Sequence, residues 1–325
     1  MTTQNSPAVT LLGFEPALSA VQTELEKALL KVPPAFQAVT GHLTRSKGKN
    51  IRAFSLLSCA IDKDGTVHPD AVSMAVGVEL LHLATLVHDD IIDDSPVRRG
   101  EETLQKKFGK RPAVICGDYL FCLALQTAAK VQKRDIEVPD PLPTYMTRIC
   151  LGEMRQNMNN RNFDLSQFDY LKIIAGKTAA LFEACFHSGF LLSGEDKSEK
   201  GKYTRLGRYI GMIFQLADDY MDYVSSEEKS KKPVKSDFEQ GVITLPLIYS
   251  MNASQLFRTN IKSNKLSTEE VSSAVTQNGG LDYVQKVIKK YYDKAMKLIH
   301  SIGAIEEKKE HLKLILDKAT NGILS

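Results

Sequence analysis

Tryptophan is absent from the 325 residues, and there are only five cysteines. Cys59, Cys116, Cys122, Cys150 and Cys185 are scattered through apolar stretches, with no Cys-x-x-Cys pair and no companion histidine at ligand spacing. That argues against a disulfide framework or a thiolate metal site, and reduced core thiols in a cytoplasmic protein are expected. No charge-free run of about 18 apolar residues occurs, so no membrane-spanning helix is expected, although peripheral contact with a membrane surface needs no such run. The N-terminus lacks a basic stretch leading into an apolar one, and Glu15 interrupts residues 8–21, so no signal peptide is expected. Excess charge is missing too. Lys and Arg number 42 against 39 Asp and Glu, and a net +3 is too small to call for a nucleic-acid partner.

What is abundant is helical periodicity. Leu18, Val21, Leu25 and Leu29 form one stripe, and Leu281, Val284, Val287, Ile288 and Tyr291 form another. Ser166 to Asp169 and Ser267 to Glu270 have the form of helix-starting capping boxes before apolar runs. Loops are expected at Asp62 to Gly65, Glu137 to Pro141, Ser193 to Lys197 and Ser225 to Lys235. None is long enough for an interdomain linker, no repeat of 20–50 residues shows, and alternating strand patterns are absent. The expectation is one all-α domain over residues 1–325, a single antiparallel helical bundle around a central cavity, with residues 1–10 flexible.

Two acidic clusters stand out within apolar helices: Asp89-Asp90-Ile91-Ile92-Asp93 and Asp218-Asp219-Tyr220-Met221-Asp222. At about 100° per residue, the first and fifth positions lie about 40° apart and the second falls within the same arc of about 100°. Each cluster thus gathers three carboxylates, which repel unless cations neutralise them. All-oxygen ligands favour Mg²⁺, which shares its remaining positions with water and phosphate oxygens, so a diphosphate substrate is expected. A solvated acidic helix face is the plain alternative for either cluster taken alone. An EF-hand is not, because the glycine and the twelfth-position glutamate of that loop are missing.

The surroundings resemble the trans-isoprenyl (polyprenyl) diphosphate synthase family, of medium- to long-chain type. The matching segments are His88 to Gly100, Gly117-Asp118-Tyr119-Leu120, Gly176-Lys177-Thr178-Ala179 and Phe214 to Asp222, in the family's order and spacing over about residues 40–250. The resemblance implies an isoprenoid-synthase fold and a prenyltransferase. Such an enzyme condenses isopentenyl diphosphate with an allylic diphosphate by ionisation, condensation and elimination, with about three Mg²⁺ ions bound with the diphosphate. It also implies metal ligation by Asp89, Asp93 and Asp218, with Asp90, Asp219 and Asp222 as ligands or supports. Arg98, Lys177 and Lys232 would hold the allylic diphosphate, and Lys49, Arg52, His82 and Arg99 the isopentenyl diphosphate. Thr178 and Gln215 would steady positive charge at the ionising carbon, while Glu153 and Gln156 would brace the cavity.

Two segments depart from the family pattern. The segment Lys47-Gly48-Lys49-Asn50-Ile51-Arg52-Ala53 lacks one arginine and a proline, and Val242 replaces a lysine before Thr244-Leu245-Pro246. These losses bear on substrate affinity or on independence from a partner subunit. On the helix below Asp89, a growing tail would pass Thr85, Ala84, Leu81 and Val78, the last about 16 Å from the metal end. The family places an early-closing aromatic at the sites of Ala84 and Thr85, so a medium-to-long product is expected unless Phe121 or Phe182 sets the floor. A homodimer is expected, with a heteromer as the alternative; a short-chain farnesyl or geranylgeranyl synthase and a class I terpene cyclase are the rival activities.

Overall fold

The structure is a computed structural model, and it describes residues 10–45, 48, 50–131, 141–224 and 237–324. Lys49, Lys232, residues 225–235, residues 137–140 and residues 1–9 of the segment expected to be flexible lie outside the described residues. The helices in chain order are α1 (Phe14–Leu30), α2 (Pro34–Thr40), α3 (Ile51–Ala60), α4 (Pro69–Ile92), α5 (Leu104–Phe108), α6 (Lys110–Ala129), α7 (Pro141–Met158) and α8 (Gln167–Ile174). They continue as α9 (Ala180–Leu191), α10 (Lys200–Val224), α11 (Asp237–Gln240), α12 (Leu245–Ala253), α13 (Gln255–Lys262), α14 (Thr268–Gln277), α15 (Gly280–Ser301) and α16 (Glu306–Ala319). The all-α expectation holds. Among the described residues the one sheet is a two-residue hairpin, β1 (Val97–Arg98) with β2 (Glu101–Glu102).

The chain divides into two compact units. The first comprises Met1–Pro143, Cys185–Tyr203 and Gly303–Lys309. Its centre is α4, which starts with Pro69 in the first turn behind a His68 cap that accepts from Asp70 N. Ala71, Met74, Ala75, Val78, Leu80, Leu81, Ala84 and Val87 point in several directions around α4 and are all buried, so the helix is packed on more than one side, by α1, α3 and α6. Each fully buried leucine there contributes about 2 kcal/mol of apolar transfer. Gly77 permits close approach of α6, since a Cβ would lie 3.3 Å from the Ala124 carbonyl oxygen. The C-terminal return is fixed by fully buried Lys308, whose Nζ donates to Ile61 O at 2.9 Å and pairs with Glu195 at 2.7 Å. Tyr203 donates to the other Glu195 oxygen at 2.8 Å, so the buried charge is paired and bonded.

On length and composition both α4 and α6 could cross a membrane, a test the charge-free-run criterion had failed to pass. The apolar window of α4 is 67% buried, as in a core helix. α6 differs, because Val114, Ile115, Tyr119 and Leu125 remain exposed along one side. The cysteines also depart in part from expectation: Cys59, Cys116 and Cys185 are buried, but Cys122 and Cys150 are exposed on α6 and α7. Both sit in apolar sequence that the fold leaves on its surface.

The second unit comprises Thr144–Ala184, Thr204–Ile302 and Glu310–Ser325. Within it α10 packs closely on the start of α9, where a Cβ on Gly211 would lie 2.5 Å from the Ala179 Cα. The predicted caps form: Ser166 accepts from Asp169 N, and Ser267 with Glu270 makes a reciprocal capping box. α12 packs on α15, where the Tyr249 and Tyr283 rings stack at 4.2 Å.

Candidate active site

In the first unit, the last turns of α4 carry Asp89 half-buried and Asp90 buried, and Asp93 caps the helix end, exposed. The sequence reading put all three carboxylates on one patch. Instead, the 100° step to Asp90 turns it into the protein, where its Oδ1 pairs with Arg98 Nε at 2.7 Å. Burial pushes the Asp90 carboxyl up, and Arg98 opposes that shift. The chain after α4 is held by Gln105, whose amide donates to the Asp90 and Ser95 carbonyls at 3.0 Å each. Left-handed Asp94 and then Pro96 end the helix and lead into the hairpin. Its turn residues Arg99 and Gly100 both have positive φ, 50° and 87°, the two-residue geometry that matches strand twist. That turn sends two adjacent arginines to different tasks.

Arg98 goes to Asp90, whereas Arg99 goes to Gly48, where a Cβ would meet its Nη1 at 2.8 Å. Close by, Arg52 Nη1 lies 3.0 Å from His82 Nε2. A guanidinium only donates, so His82 accepts there and its proton sits on Nδ1. Burial, then Arg52 and Arg99, hold the His82 imidazole well below its ordinary value, so it is neutral at pH 7. Burial likewise lowers Arg52, offset mainly by Glu79. Glu79 is the buried counter-charge that the sequence reading missed. Its Oε1 accepts from Ala53 N at 2.9 Å, which accounts for one departure in the motif: a proline at position 53 has no N–H to give. Asn50, the other, stands at φ 46° as the left-handed residue before α3, a conformation asparagine tolerates better than arginine does. The fold thus brings Arg52, Arg99 and His82, three of the residues expected to hold isopentenyl diphosphate, into one neighbourhood.

Along α4 below Asp89, Thr85 is half-buried and donates to His82 O at 2.8 Å. Ala84, Leu81 and Val78 are fully buried, so Thr85 alone of these four lies on the partly open stripe with His82, Leu86 and Asp89. The expected small side chains are in place. His88 fixes the next motif, since a Cβ on Gly117 would come within 2.3 Å of its Nε2.

The second cluster, in the second unit, repeats the division of labour. Asp218 and Asp222 at the end of α10 are exposed, while Asp219 is buried. Tyr170 donates to Asp219 Oδ2, and Gln215 Nε2 donates to its Oδ1 at 2.7 Å. Gln215 Oε1 in turn accepts from the Thr178 hydroxyl at 2.5 Å. Burial pushes Asp219 up to about 7, against the Tyr170 and Gln215 bonds. Burial and the neighbouring carboxylates also raise Asp237, whose N–H donates to Asp222 at 3.1 Å. Asp218, although exposed, is raised by the protein around it, as fits a carboxylate in a recess.

Lys177 and Thr178 sit on a widened π-type turn, Ala175–Ala179, between α8 and α9. Gly152 of α7 lets that turn approach, since a Cβ would come within 2.2 Å of Lys177 N. The neighbouring Glu153 then pairs with Lys177 Nζ at 2.9 Å. Glu153 thus braces the predicted phosphate-binding lysine. Tyr170 and Asp237 had no sequence signal beyond their residue types, because each reaches the cluster only through folding. Glu79 had one, an acid inside an apolar run and one turn before His82.

All-oxygen donor pairs at i and i+4, open on α4 and again on α10, fit a hard divalent cation and not a thiolate or imidazole metal. With the arginines and histidine gathered in the unit of the first pair, they define the class: an all-α enzyme of the isoprenoid-synthase type acting on diphosphates. The polyprenyl synthetase family profile matches residues 33–278. Component 2 of heptaprenyl diphosphate synthase from Geobacillus stearothermophilus is 32% identical over 294 residues, covering 88% of this chain and 89% of that protein. Octaprenyl diphosphate synthase from Escherichia coli (strain K12) is 32% identical over 264 residues, 78% of this chain and 80% of that one. The solved heptaprenyl diphosphate synthase from Staphylococcus aureus superposes with a TM-score of 0.85 at 31% identity, covering 95% and 98% of the two chains. The chain belongs to the polyprenyl synthetase family and is a prenyltransferase.

Proposed function

We propose that this enzyme condenses isopentenyl diphosphate with an allylic diphosphate and repeats the step to a medium-to-long trans-polyprenyl diphosphate. The observation that carries the reading is the doubled arrangement: outer aspartates exposed or half-buried, inner aspartates buried on side-chain donors, and arginines and a histidine gathered in the unit of the first pair. Asp89 with Asp93, and Asp218 with Asp222, would hold Mg²⁺, which when bound offsets the charge of the departing diphosphate. Arg52, Arg99 and neutral His82 bind the isopentenyl diphosphate, with Lys49 of the same motif. Arg98, Lys177 and Lys232 hold the allylic one. Thr178 and Gln215 present oxygen dipoles to the carbon that becomes positive. The departing diphosphate takes the final proton, as the resemblance to the family implies.

For chain length, Thr85 and Ala84 supply no bulky wall, and the named relatives are hepta- and octaprenyl synthases. Thr85→Phe is expected to shorten the product while condensation continues, and an unchanged length distribution would remove Thr85 from that role. Two exposed apolar stripes support self-association as a homodimer: Ile115, Tyr119 and Leu125 on α6, and Leu151, Met154 and Met158 on α7. A heteromer is the second reading, favoured by the component 2 relative and by Asn50 and Val242. A single domain over 1–325 is proposed as well, since the family match runs through segments of both units, and a cytoplasmic location fits the unpaired cysteines. The test is the purified single chain with labelled isopentenyl diphosphate and allylic primers of several lengths. Chain-length ladders support the proposal, hydrocarbon formed without isopentenyl diphosphate would mean a cyclase, and no product from any primer would mean a partner is required.

A further inference from the structure

We propose that Tyr170 is a positioning residue for prenyl transfer, acting through Asp219 and Gln215 to set the hydroxyl of Thr178; this rests on the prenyl-transfer reading above. Tyr170 is 3% exposed, and its hydroxyl donates to Asp219 Oδ2. Asp219 Oδ1 takes the Gln215 amide at 2.7 Å, and Gln215 Oε1 takes the Thr178 proton at 2.5 Å. The order of donors is forced. With Asp219 ionised, as a cation bound beside it favours, its carboxylate only accepts, so it turns the NH₂ end of Gln215 toward itself and leaves the amide oxygen facing Thr178. Thr178 must then spend its single proton on Gln215, and only lone pairs remain on its oxygen for whatever lies on the open side.

A carbon becoming positive there meets oxygen lone pairs and no competing O–H dipole, already oriented before the reaction begins. Without the Tyr170 hydroxyl, one carboxylate oxygen loses its anchor. Asp219 can then rotate, Gln215 can flip, and the Thr178 proton can point the wrong way. Tyr170 stands on α8, whose start is fixed by the Ser166 cap, whereas Asp219 and Gln215 stand on α10. The chain thus ties the geometry of Thr178 to the packing of two helices. Nothing in it requires Asp219 to bind metal, and Asp218 and Asp222 keep the open positions.

The test is a double-mutant cycle on the full chain with Mg²⁺, isopentenyl diphosphate and an allylic diphosphate, using Tyr170→Phe, Thr178→Val and both together. Tyr170→Phe is expected to lower kcat about 10-fold, with KM for both substrates and half-saturating Mg²⁺ within about 2-fold of wild type. In the Thr178→Val background the same change is expected to cost less than about 2-fold, because its target is gone. Asp219→Asn breaks the chain one link on, at the group that orients the Gln215 amide, and reads the same cycle if Tyr170→Phe folds poorly. An undiminished loss in the Thr178→Val background overturns the proposal, as does a raised Mg²⁺ requirement in Tyr170→Phe. A wild-type chain that makes hydrocarbon without isopentenyl diphosphate sinks the prenyl-transfer reading and this inference with it, whereas a condensing wild type with a purely additive cycle removes only the Tyr170 relay.

Discussion

The two aspartate clusters share a spacing but keep their inner carboxylates in place by different chemistry. Asp90 is held by a cation, Arg98, whereas Asp219 is held by the neutral donors Tyr170 and Gln215. The first arrangement cancels charge inside the protein. The second satisfies hydrogen bonds and leaves the charge to be met from outside. Burial raises the carboxyls of Asp218, Asp219, Asp222 and Asp237, and among the described residues Lys177, itself paired with Glu153, opposes that shift at Asp237. Among the described residues the inner aspartate of the first cluster thus has a paired cation, while that of the second has none.

The largest test of the shared part is removal of an outer aspartate. Asp89→Ala and Asp218→Ala are each expected to lower kcat/KM by about 10³-fold or more, since each removes a contact to the charge formed on ionisation. Circular dichroism should be unchanged, and near-normal Mg²⁺-dependent turnover in either variant would break the equivalence of the two outer pairs. A smaller effect separates the inner pair. Asp90→Asn leaves Arg98 without its partly buried counter-charge and is expected to cost about 2 kcal/mol at pH 7. Asp219→Asn strands no paired cation, since the donors on Asp219 are neutral, and is expected to cost about 1 kcal/mol or less. Urea unfolding of both variants without metal measures the difference, and equal losses would show that Arg98 and the Tyr170–Gln215 pair hold their aspartates alike.

Much of this was legible in the sequence because it depends on short-range periodicity. The helix under Asp89, the caps at Ser166 and Ser267 and the i, i+4 pairing of outer aspartates all follow from a 3.6-residue repeat. The inward turn of Asp90 and Asp219 was not, because periodicity places them near the same arc and only a tertiary donor decides which way they face. Arg98 is eight residues from Asp90 and could be suspected from the motif. Tyr170 is 49 residues from Asp219, and no local signal joins them. The change from proline to Ala53 looked like a loss until the fold placed Glu79 opposite its N–H. Sequence reading named the outer aspartates and missed Tyr170 and Glu79, the buried partners that only the fold brings to Asp219 and Ala53.

The smallest effect concerns pH without metal, and its two limbs have opposite signs. His82 is held well below its ordinary value of 6.5 by burial and the nearby arginines, so its contribution is present above about pH 6.5 and is lost as pH falls through its folded value. Asp219 is raised from 3.8 to about 7, so its contribution is full below about pH 4 and is lost as pH rises through about 7. In EDTA the wild type is therefore expected to lose about 1 kcal/mol from Asp219 between pH 6 and pH 8, since one decade of proton affinity is worth about 1.4 kcal/mol. Asp219→Asn should flatten that alkaline limb, and His82→Gln should flatten the acid limb alone. Adding Mg²⁺ with inorganic diphosphate should restore the alkaline limb in the wild type by binding the folded state. If the Asn variant loses as much between pH 6 and pH 8 as the wild type, the strain of the second cluster lies in Asp237 or Asp222, and the contrast between the inner aspartates must be redrawn around those residues.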